Sequence, residues 1–477
     1  MRATSSLRNK GLWATAEAAQ LRLAPPSLSA VPLETTFGDV PETREAGEAT
    51  STEAGSAAAR RPRLATTARL PHLSAAARWP RLSATAAFYL QASITVAFLA
   101  GSSAPSPLYP IYQSAWGFSS LAITVIFGVY AFAVLVSLLV AGRISDHVGR
   151  RPVLLVATLV QALTMVVFAT AGGLTSLLVA RVIQGLSAGA AIAAVGAGLL
   201  DIDRSRGTIA NSIVAPLGTA AGGLIAGVFV QFLPAPTHLV YLVLGAVFIV
   251  QGVGVYFMNE TLPPRPGALA SMKPQIRVPL HVRRAFILAL PALVATWALA
   301  GFYAALAPSL VRNVFGFGSS LPGGLVLFAM AGSAGLAVLA LRNHEARTVA
   351  MYGAMALLIS MSITVTALTS LSVPIFYFGA IIGGMGFGAG FQGAVRSVIT
   401  LARPDERAGV LSVIFVVSYI AMGLPAIIAG AFINLHGDLR FTTEQFAGVV
   451  MVLAGLALLA ALRKSATHHD VKLPQHS

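Results

Sequence analysis

The chain has 477 residues, of which 56% are hydrophobic and only 10% charged, with a mean hydropathy of +0.78. A soluble domain needs a charged surface, so this composition excludes a soluble fold and predicts a polytopic helical membrane protein. A formal charge of +15 can indicate a nucleic-acid partner. Here the basic residues lie in short loops beside apolar segments, where orientation in the bilayer accounts for them, so we expect no nucleic-acid partner.

The absence of cysteine excludes a disulfide framework, a thiol nucleophile and a thiolate metal site. Arginine outnumbers lysine 28 to 4, and Ala and Gly are heavily used, which favours a bacterial protein from a GC-rich genome.

Residues 1–82 are rich in Ala, Arg, Thr, Pro and Glu and contain no apolar run long enough to span a membrane. So few apolar residues cannot form a core, and we predict a disordered cytoplasmic tail. A wrongly assigned translation start is an alternative, and in that case the tail has no function.

From Ala86 onward, apolar runs of about 20 residues, the length that crosses a bilayer, recur with short breaks. We predict twelve spans, near 86–107, 119–141, 152–171, 175–200, 208–232, 238–258, 285–311, 320–341, 348–369, 373–401, 408–433 and 444–462.

Arginines concentrate in the loops on one side of these spans, which predicts that both termini are cytoplasmic. The longest break between spans divides the chain into an N-terminal six-helix bundle and a C-terminal one. The predicted segments are the first bundle at 83–258, a cytoplasmic linker at 259–284, the second bundle at 285–462 and a cytoplasmic tail at 463–477.

The two halves repeat each other at an offset near 200 residues. Leu99-Ala100-Gly101 matches Leu299-Ala300-Gly301, and Ser119-Ser120-Leu121 matches Ser319-Ser320-Leu321. On the fourth and tenth spans, Gly185 and Gly189 match Gly384 and Gly388. A constant offset across three spans predicts an internal duplication.

The loop between the second and third spans reads GRISDHVGRRPVLL, and we expect Gly142 and Gly149 to give the backbone freedom that its tight turn requires. The pattern Gly-x-x-x-Asp-x-x-Gly-Arg-Arg resembles the cytoplasmic loop signature of the major facilitator superfamily. The resemblance implies an all-α membrane fold of 12 helices in two pseudo-symmetric bundles, with substrate bound between the bundles near the midplane.

The same resemblance assigns this loop to a cytoplasmic gate. Asp146 is expected to face the N-terminus of the eleventh helix, after Arg407, or to pair with an arginine across the two halves. A loop that only fixes topology is the alternative, but topology requires basic residues and no acid. The predicted gate residues are Gly142, Arg143, Asp146, Gly149, Arg150 and Arg151.

The fourth span carries Arg181, Gln184, Gly185 and Gly189 on one helical face, in a pattern that resembles a second signature of the same superfamily. A charge this deep in a span is unfavourable, so we expect Arg181 to face the central cavity; snorkelling to the periplasmic surface is the alternative.

The fifth span has glycines that resemble part of the drug/proton antiporter signature, although Pro216 precedes them and the signature's Gly-Pro pair is absent. Plain helix packing is the alternative. The predicted packing glycines are Gly185, Gly189, Gly218, Gly222, Gly223, Gly227, Gly384 and Gly388.

Further polar and aromatic side chains lie within the spans and are candidates to line the cavity or to couple transport. Arg396 could instead snorkel to the cytoplasmic surface, and tyrosines such as Tyr303 could be interface anchors. With Arg181 and Gln184, the cavity candidates are Gln91, Asn211, Trp297, Tyr303, Gln392, Arg396 and Tyr419.

All seventeen acids lie in the tail or in loops, so no carboxylate is expected at mid-membrane. If protons drive transport, Asp146, Asp201 or Asp203 must titrate, or coupling passes through a substrate beside Arg181. A cavity whose deep charge is positive should favour anionic or neutral amphiphiles over cations.

No phosphate-binding Gly-x-x-x-x-Gly-Lys loop and no His-Glu-x-x-His motif is present, so we predict no enzyme, no cofactor and no metal. The predicted function is proton-driven export of small amphiphilic molecules by a monomer in the bacterial cytoplasmic membrane, its partners being the lipid bilayer and a small-molecule substrate. An uptake carrier for an organic anion or a sugar-like solute is one alternative, and a transport-dead sensor or scaffold is another.

Overall fold

A computed structural model describes residues 81–463, so the predicted tails fall outside the described residues except at their edges. Within these described residues, twelve helices are long and apolar enough to cross a membrane, which confirms the predicted number of spans and the all-α fold class. They are α1 Ala84–Ser103, α2 Ser120–Ala141, α3 Arg150–Ala169, α4 Leu174–Ile202, α5 Arg204–Phe232, α6 Pro236–Tyr256, α7 Leu280–Ala305, α8 Leu321–Ala340, α9 Ala346–Ser370, α10 Val373–Ile399, α11 Arg407–His436 and α12 Leu439–Arg463.

Short helices follow the first span of each bundle. Ser106–Leu108 and Tyr109–Trp116 follow α1, and Ala307–Asn313 follows α7. This likeness fits the internal repeat seen in the sequence.

Two helix starts differ from the prediction. The helix α7 begins at Leu280, inside the predicted linker, directly after Pro279, whose extended backbone ends the linker. The helix α12 begins at Leu439, so Glu444 lies on a helix and pairs with Arg440 at 3.1 Å. The prediction that every acid lies in the tail or a loop is therefore wrong for Glu444, and also for Asp201, which lies in the last turn of α4.

Glycines allow close helix contacts at equivalent places in the two halves. A Cβ at Gly185 of α4 would lie 2.6 Å from the Cβ of Ala133 on α2, and a Cβ at Gly388 of α10 would meet the carbonyl of Ala334 on α8. Glycine therefore lets the helix backbones approach each other at both sites. The remaining glycines of these pairs, Gly189 and Gly384, also face α2 and α8.

The glycines of α5 have two different partners. Gly218 and Gly222 pack against α1, where Cβ atoms would meet the carbonyls of Val96 and Ala100. Gly223 and Gly227 instead face α8 in the other bundle, against Leu327, Gly324 and Leu321.

The helices α1–α6 and α7–α12 form two bundles that meet along α5 with α8 and along α2 with α11. We call the end of the molecule that carries the loops after α2, α4, α6, α8 and α10 the basic end, and the other the opposite end. Interbundle contacts are close toward the opposite end, where Ser319 donates to Gln231 and Gly430 packs against Thr124. The residue numbers at which one bundle ends and the other begins stay a prediction.

Candidate substrate cavity and gate

A cavity of about 450 Å³ lies between the bundles. Helices α1, α2 and α5 line one side of it, and α7, α8, α10 and α11 line the other. It extends toward the basic end, where Arg396 lines it and donates from Nη1 to the carbonyl of Arg342 in the α8–α9 loop at 3.2 Å.

Five of the predicted cavity residues line this space and four do not. Asn211, Trp297, Gln392, Arg396 and Tyr419 are part of the lining. The other four are fully buried within a single bundle: Gln91, Arg181, Gln184 and Tyr303.

The buried four are held by neighbours of their own bundle. Gln91 donates to the sulfur of Met258 at 3.5 Å, and the Tyr303 hydroxyl lies 3.4 Å from that of Thr364. They therefore contribute to packing inside a bundle.

An aromatic wall, formed by Trp297, Phe387, Phe391 and Tyr419, covers the C-terminal side of the cavity. The ring centroid of Trp297 lies 5.3–5.6 Å from those of the other three, and the planes of Phe387 and Phe391 are within 6° of parallel. These are the distances of favourable aromatic pairs. Sequence reasoning missed Phe387 and Phe391, although their spacing of four residues places them on one face of α10.

A hydroxyl wall, formed by Ser102, Ser103 and Thr219, faces it from the N-terminal bundle. Ser102 donates to the carbonyl of Leu99 at 2.8 Å, Ser103 to that of Thr219 at 2.9 Å and Thr219 to that of Ala215 at 3.2 Å. Each hydrogen is thus engaged by a backbone carbonyl, and the oxygens keep lone pairs that can accept.

Arg181 lies directly behind the cavity wall and is fully buried. Its guanidinium donates to the carbonyl of Ser102 at 2.9 Å, to Gln184 Oε1 at 2.7 Å and to the hydroxyl of Tyr109. Its Cζ also lies 5.1 Å from the ring centroid of Tyr130, a cation–π distance. Ser102 and Tyr130 both line the cavity, so one layer of side chains separates this charge from it.

No carboxylate of the described residues pairs with Arg181, whose charge is stabilised by dipoles and aromatic faces. Gln184 is fixed in turn, because its Nε2 donates to the carbonyl of Gly101 at 3.0 Å. The fourth helix and the end of the first are therefore joined by a polar network in the core of the bundle.

The predicted gate loop forms a cluster around Arg150. Its Nη1 donates to Asp146 Oδ1 at 2.5 Å and to Ser145 Oγ at 2.6 Å, and its Nε lies 3.1 Å from Asp201 Oδ2. Arg150 is buried, whereas the Asp146 side chain is 45% exposed. These contacts lie within the N-terminal bundle, and Asp146 does not pair with an arginine of the other half.

Glu260 fixes this loop, and sequence reasoning missed it. Its carboxylate accepts from the backbone N–H groups of Arg150 at 2.8 Å and Arg151 at 3.0 Å. It thereby satisfies amides at the N-terminus of α3, where a negative charge is stabilised. An acid directly after an apolar span was the available signal. Arg151 adds a contact with the end of α6, through the carbonyl of Tyr256.

The two loop glycines serve different needs. Gly149 has φ +103°, in the region that favours glycine, so it uses the backbone freedom that we predicted for this turn. Gly142 has an ordinary helical φ of −56°, so its predicted backbone freedom is not used. A Cβ there would clash with the carbonyl of Leu138, so the position favours glycine for steric reasons. Arg143 is exposed.

Arg396 is the single charged residue that lines the cavity in the part of the chain that the structure describes. Within residues 81–463, no group of three His, Cys, Asp or Glu side chains is arranged to hold a metal ion. The cavity therefore offers aromatic faces, hydroxyl oxygens, the amides of Asn211 and Gln392 and one cation to a ligand.

Two six-helix bundles related by an internal repeat, with a lined cavity between them, define the architecture of a secondary carrier. The family model described as "Major Facilitator Superfamily" matches residues 92–373, more than half of the chain. The chain belongs to this superfamily.

Curated relatives include two bacterial proteins. A tetracenomycin C resistance and export protein of Streptomyces glaucescens is 33% identical over 133 residues, covering 25% of this chain and 24% of the relative. The multidrug resistance protein MdtL of Klebsiella pneumoniae subsp. pneumoniae is 29% identical over 174 residues, covering 35% of this chain and 41% of the relative. The chain thus matches less than half the length of either protein.

Among solved structures, a bacterial homologue of the human lysosomal transporter Spinster, in an inward-facing and unoccupied conformation, aligns with a TM-score of 0.64. The alignment covers 80% of this chain and 97% of that one at 14% identity, so the likeness concerns the fold.

Proposed function

We propose that this protein is a secondary active transporter that exports small amphiphilic molecules across a bacterial cytoplasmic membrane in exchange for protons. The observation that carries the proposal is the cavity between the bundles, lined from both sides and extending toward the basic end. A site shared by two bundles can face either side of the membrane when one bundle rocks against the other.

We assign the basic end to the cytoplasm. Arginines concentrate in its loops, and this bias sets the orientation of membrane proteins. Both termini are then cytoplasmic, and the cavity faces the cytoplasm in this conformation. Close packing toward the opposite end, including Gly223 against Gly324, closes the far side.

Asp146 acts as the gate in this proposal. Its half-exposed carboxylate is available to a new partner while Arg150 holds it in place. When the basic end closes, the N-terminus of α11, which begins at Arg407, is the positive partner that it meets. The present conformation is then the open state of this gate.

Coupling to protons is assigned to the same cluster. Arg150 pairs with both Asp146 and Asp201, so protonating either carboxylate removes one of its two ion partners. None of the acids in residues 81–463 lines the cavity. We therefore assign proton binding to the carboxylates of the gate cluster, which lie next to the gate that moves in this proposal.

Export is favoured by two relatives whose names describe resistance to antibiotics or drugs. Uptake of an organic anion is the second candidate, and Arg396 in the lining supports it because this cation attracts an anion. The transport-dead alternative is disfavoured by a gate cluster in which Arg150 pairs with both Asp146 and Asp201.

Inverted membrane vesicles loaded with a pH dye test this proposal. With an acidic interior imposed, anionic, neutral and cationic amphiphiles are added in turn, and export predicts that some compounds collapse the gradient. Asp146→Asn should reduce this collapse at least tenfold, about 1.4 kcal/mol, at equal expression.

Glu345→Gln is the matched control, because Glu345 is an exposed acid in the α8–α9 loop, outside the cluster and away from the N-terminus of α11. No collapse with any compound, while labelled solutes equilibrate across the same vesicles, would replace the proposal with a facilitative or uptake carrier. An unchanged rate in Asp146→Asn would remove the gate assignment.

A further inference from the structure

The linker between α6 and α7, residues 257–279, and the first turns of α7 carry exposed charges of one sign. Their basic residues are Arg265, Lys273, Arg277, Arg283 and Arg284, all of them exposed. The sequence has no acid between Glu260 and Glu345. None of the five bases forms an ion pair with another of the described residues. The segment is therefore a positive surface whose charges are not neutralised within the described part of the chain.

The two acids nearest to this segment are already engaged. Glu260 accepts from backbone amides at the start of α3, and Glu406 lies 3.3 Å from Nε2 of His281 on α7. Neither carboxylate is thus the partner of the five bases.

The backbone of the linker is fixed against both bundles. The N–H of Arg265 donates to the carbonyl of His147 in the gate loop at 2.7 Å. At the other end of the linker, a Cβ at Gly409 of α11 would lie 3.2 Å from the carbonyl oxygen of Arg277. Both contacts use backbone atoms of the linker, so its basic side chains stay exposed.

Large apolar side chains accompany these bases. Leu269 and Leu280 are each 84% exposed, and Ile276 is 56% exposed. Leu269 and Ile276 lie outside the membrane spans, so the hydrocarbon core that covers the apolar surface of a span does not cover them. Basic residues together with exposed apolar ones are typical of segments that lie in the membrane interface.

The start of α7 places this surface at the level of the lipid headgroups. The helix has 26 residues and is about 39 Å long, which exceeds the hydrocarbon core of about 30 Å. The excess includes Arg283 and Arg284, because charges are unfavourable in the core. Arg284 shares a helix face with Ile287, an exposed residue of the span that does not line the cavity and therefore faces lipid.

We infer that the linker and the first turns of α7 dock on anionic lipid headgroups at the basic end. The five bases attract the lipid phosphates, and Leu269 and Ile276 enter the interface between headgroups and acyl chains. These two side chains select a bilayer over a soluble polyanion, which offers them no apolar environment. The inference rests on the proposed function only in assigning this leaflet to the cytoplasm.

A fluorophore next to Leu269 tests the docking. The chain has no cysteine, so Ala270→Cys, at an exposed position, gives a single labelling site. The labelled full chain is placed in nanodiscs of phosphatidylcholine, with or without phosphatidylglycerol, that contain a lipid with a nitroxide quencher on its headgroup. Quenching should rise with phosphatidylglycerol and fall again in 1 M salt, where the Debye length is about 3 Å.

The basic residues are tested in pairs. Each base near an anionic surface contributes about fivefold. Lys273→Gln with Arg277→Gln should therefore lower the ratio of docked to undocked protein about 25-fold. Arg204→Gln with Arg206→Gln is the matched control, because it removes the same charge from exposed residues at the start of α5, at the same end, and should keep the ratio. Equal losses in the two double variants would overturn the assignment to the linker.

The apolar contact is tested at Leu269. Leu269→Gln should lower the ratio of docked to undocked protein about tenfold, because a leucine no longer leaves water on docking. Leu269→Met keeps an apolar side chain and should keep the ratio. Unchanged docking in Leu269→Gln would overturn the insertion of this side chain.

A label at Pro404→Cys is the control for position. Pro404 is exposed between Arg403 and Asp405 in the α10–α11 loop of the same end, and its label should not respond to phosphatidylglycerol. Equal quenching of the Ala270→Cys label in the two lipid mixtures overturns the inference. A label that is shielded in phosphatidylcholine and released by salt also overturns it, because protein would then cover the linker.

These measurements need no translocation, so they separate this inference from the proposed function. Vesicles that exchange protons for amphiphiles, with a linker label that ignores phosphatidylglycerol, would refute the docking and keep the transporter. Docking with the predicted charge dependence in protein that moves no protons would keep the lipid surface and refute the proposed coupling.

Discussion

At the scale of single residues, Arg181 was predicted to line the cavity, but it lies behind the cavity wall and holds the wall residues in place. The residue type was informative, since a charge within a span needs partners, and it has them in Tyr109, Ser102 and Gln184. The sequence could not tell the face of α4 that points to the cavity from the face that points into the bundle.

Truncating Arg181 should destabilise the protein. Arg181→Ala leaves three buried polar groups without their donor, each costing about 1–3 kcal/mol, and it also opens a space in the core. We expect a clearly lower melting temperature by fluorescence-detected size-exclusion chromatography and a loss of transport. Arg181→Lys keeps the charge with fewer donors and should retain part of both.

Arg206→Ala is the control for this prediction, because its side chain is 71% exposed and pairs only with Asp203 at the surface. Its melting temperature should be close to that of the wild type. If the melting temperature of Arg181→Ala equalled that of Arg206→Ala, the polar network behind the cavity wall would not stabilise the protein.

The other cavity candidates divide for the same reason. Trp297, Gln392 and Tyr419 were named from residue type, and their helices happen to present them to the interface between the bundles. Tyr303 and Gln91 have equally suitable chemistry and face their own bundle. Facing depends on how each helix is rotated in its bundle, which a nearly uniform apolar span does not encode.

At the scale of elements, the start of α3 shows a loop and a distant segment fitted together. Gly149 has a positive φ, and its missing Cβ leaves room for the carboxylate of Glu260, which accepts from the first amides of the helix. The loop signature was readable in sequence. Its partner Glu260 lies more than a hundred residues further along the chain, so the sequence did not reveal the contact.

Replacing Gly149 with alanine should disturb both features. A Cβ at this position would lie 2.5 Å from Glu260 Oε2, and a non-glycine residue at this φ is strained by about 1–3 kcal/mol. We expect Gly149→Ala to lower the melting temperature, whereas Gly172→Ala, in open space in the α3–α4 loop, should not.

A double-mutant cycle separates strain from the clash. If the alanine displaces Glu260, the cost of Gly149→Ala should be smaller in a Glu260→Ala background than in the wild type. Equal costs in the two backgrounds would mean that backbone strain alone accounts for the effect and that the carboxylate is not displaced.

At the scale of the whole molecule, closure of the opposite end depends on two helix pairs. Contacts of α5 with α8 and of α2 with α11 bring the bundles together there, and Ser319 donates to Gln231 across the junction. Alternating access requires these contacts to separate in each cycle.

A covalent bridge across this junction should stop transport. Because the chain has no cysteine, Gln231→Cys with Ser319→Cys introduces a single thiol pair. Treatment with a short thiol-bridging reagent that a reductant can cleave should abolish vesicle transport, and the reductant should restore it. Each single-cysteine variant is a control and should keep its activity. Full transport in bridged protein would mean that this end need not open.

The sequence by itself determined the membrane class, the number of spans and the internal duplication. The membrane class and the number of spans follow from the length of contiguous apolar runs, and the duplication follows from matches at a constant offset of about 200 residues. The sequence also located the signature loop between α2 and α3, whose spacing is local; that this loop is a gate stays a prediction.

The tertiary structure alone decided which side chains share the cavity, that Arg181 stands behind its wall, and that Glu260 caps α3. The physical reason is that the lipid-facing side and the bundle-facing side of a membrane helix are both apolar. Hydropathy therefore fixes where a helix lies along the chain but not how it is rotated about its axis. Helix rotation, set by close contacts such as Gly388 on Ala334, brings Trp297, Phe391 and Tyr419 together.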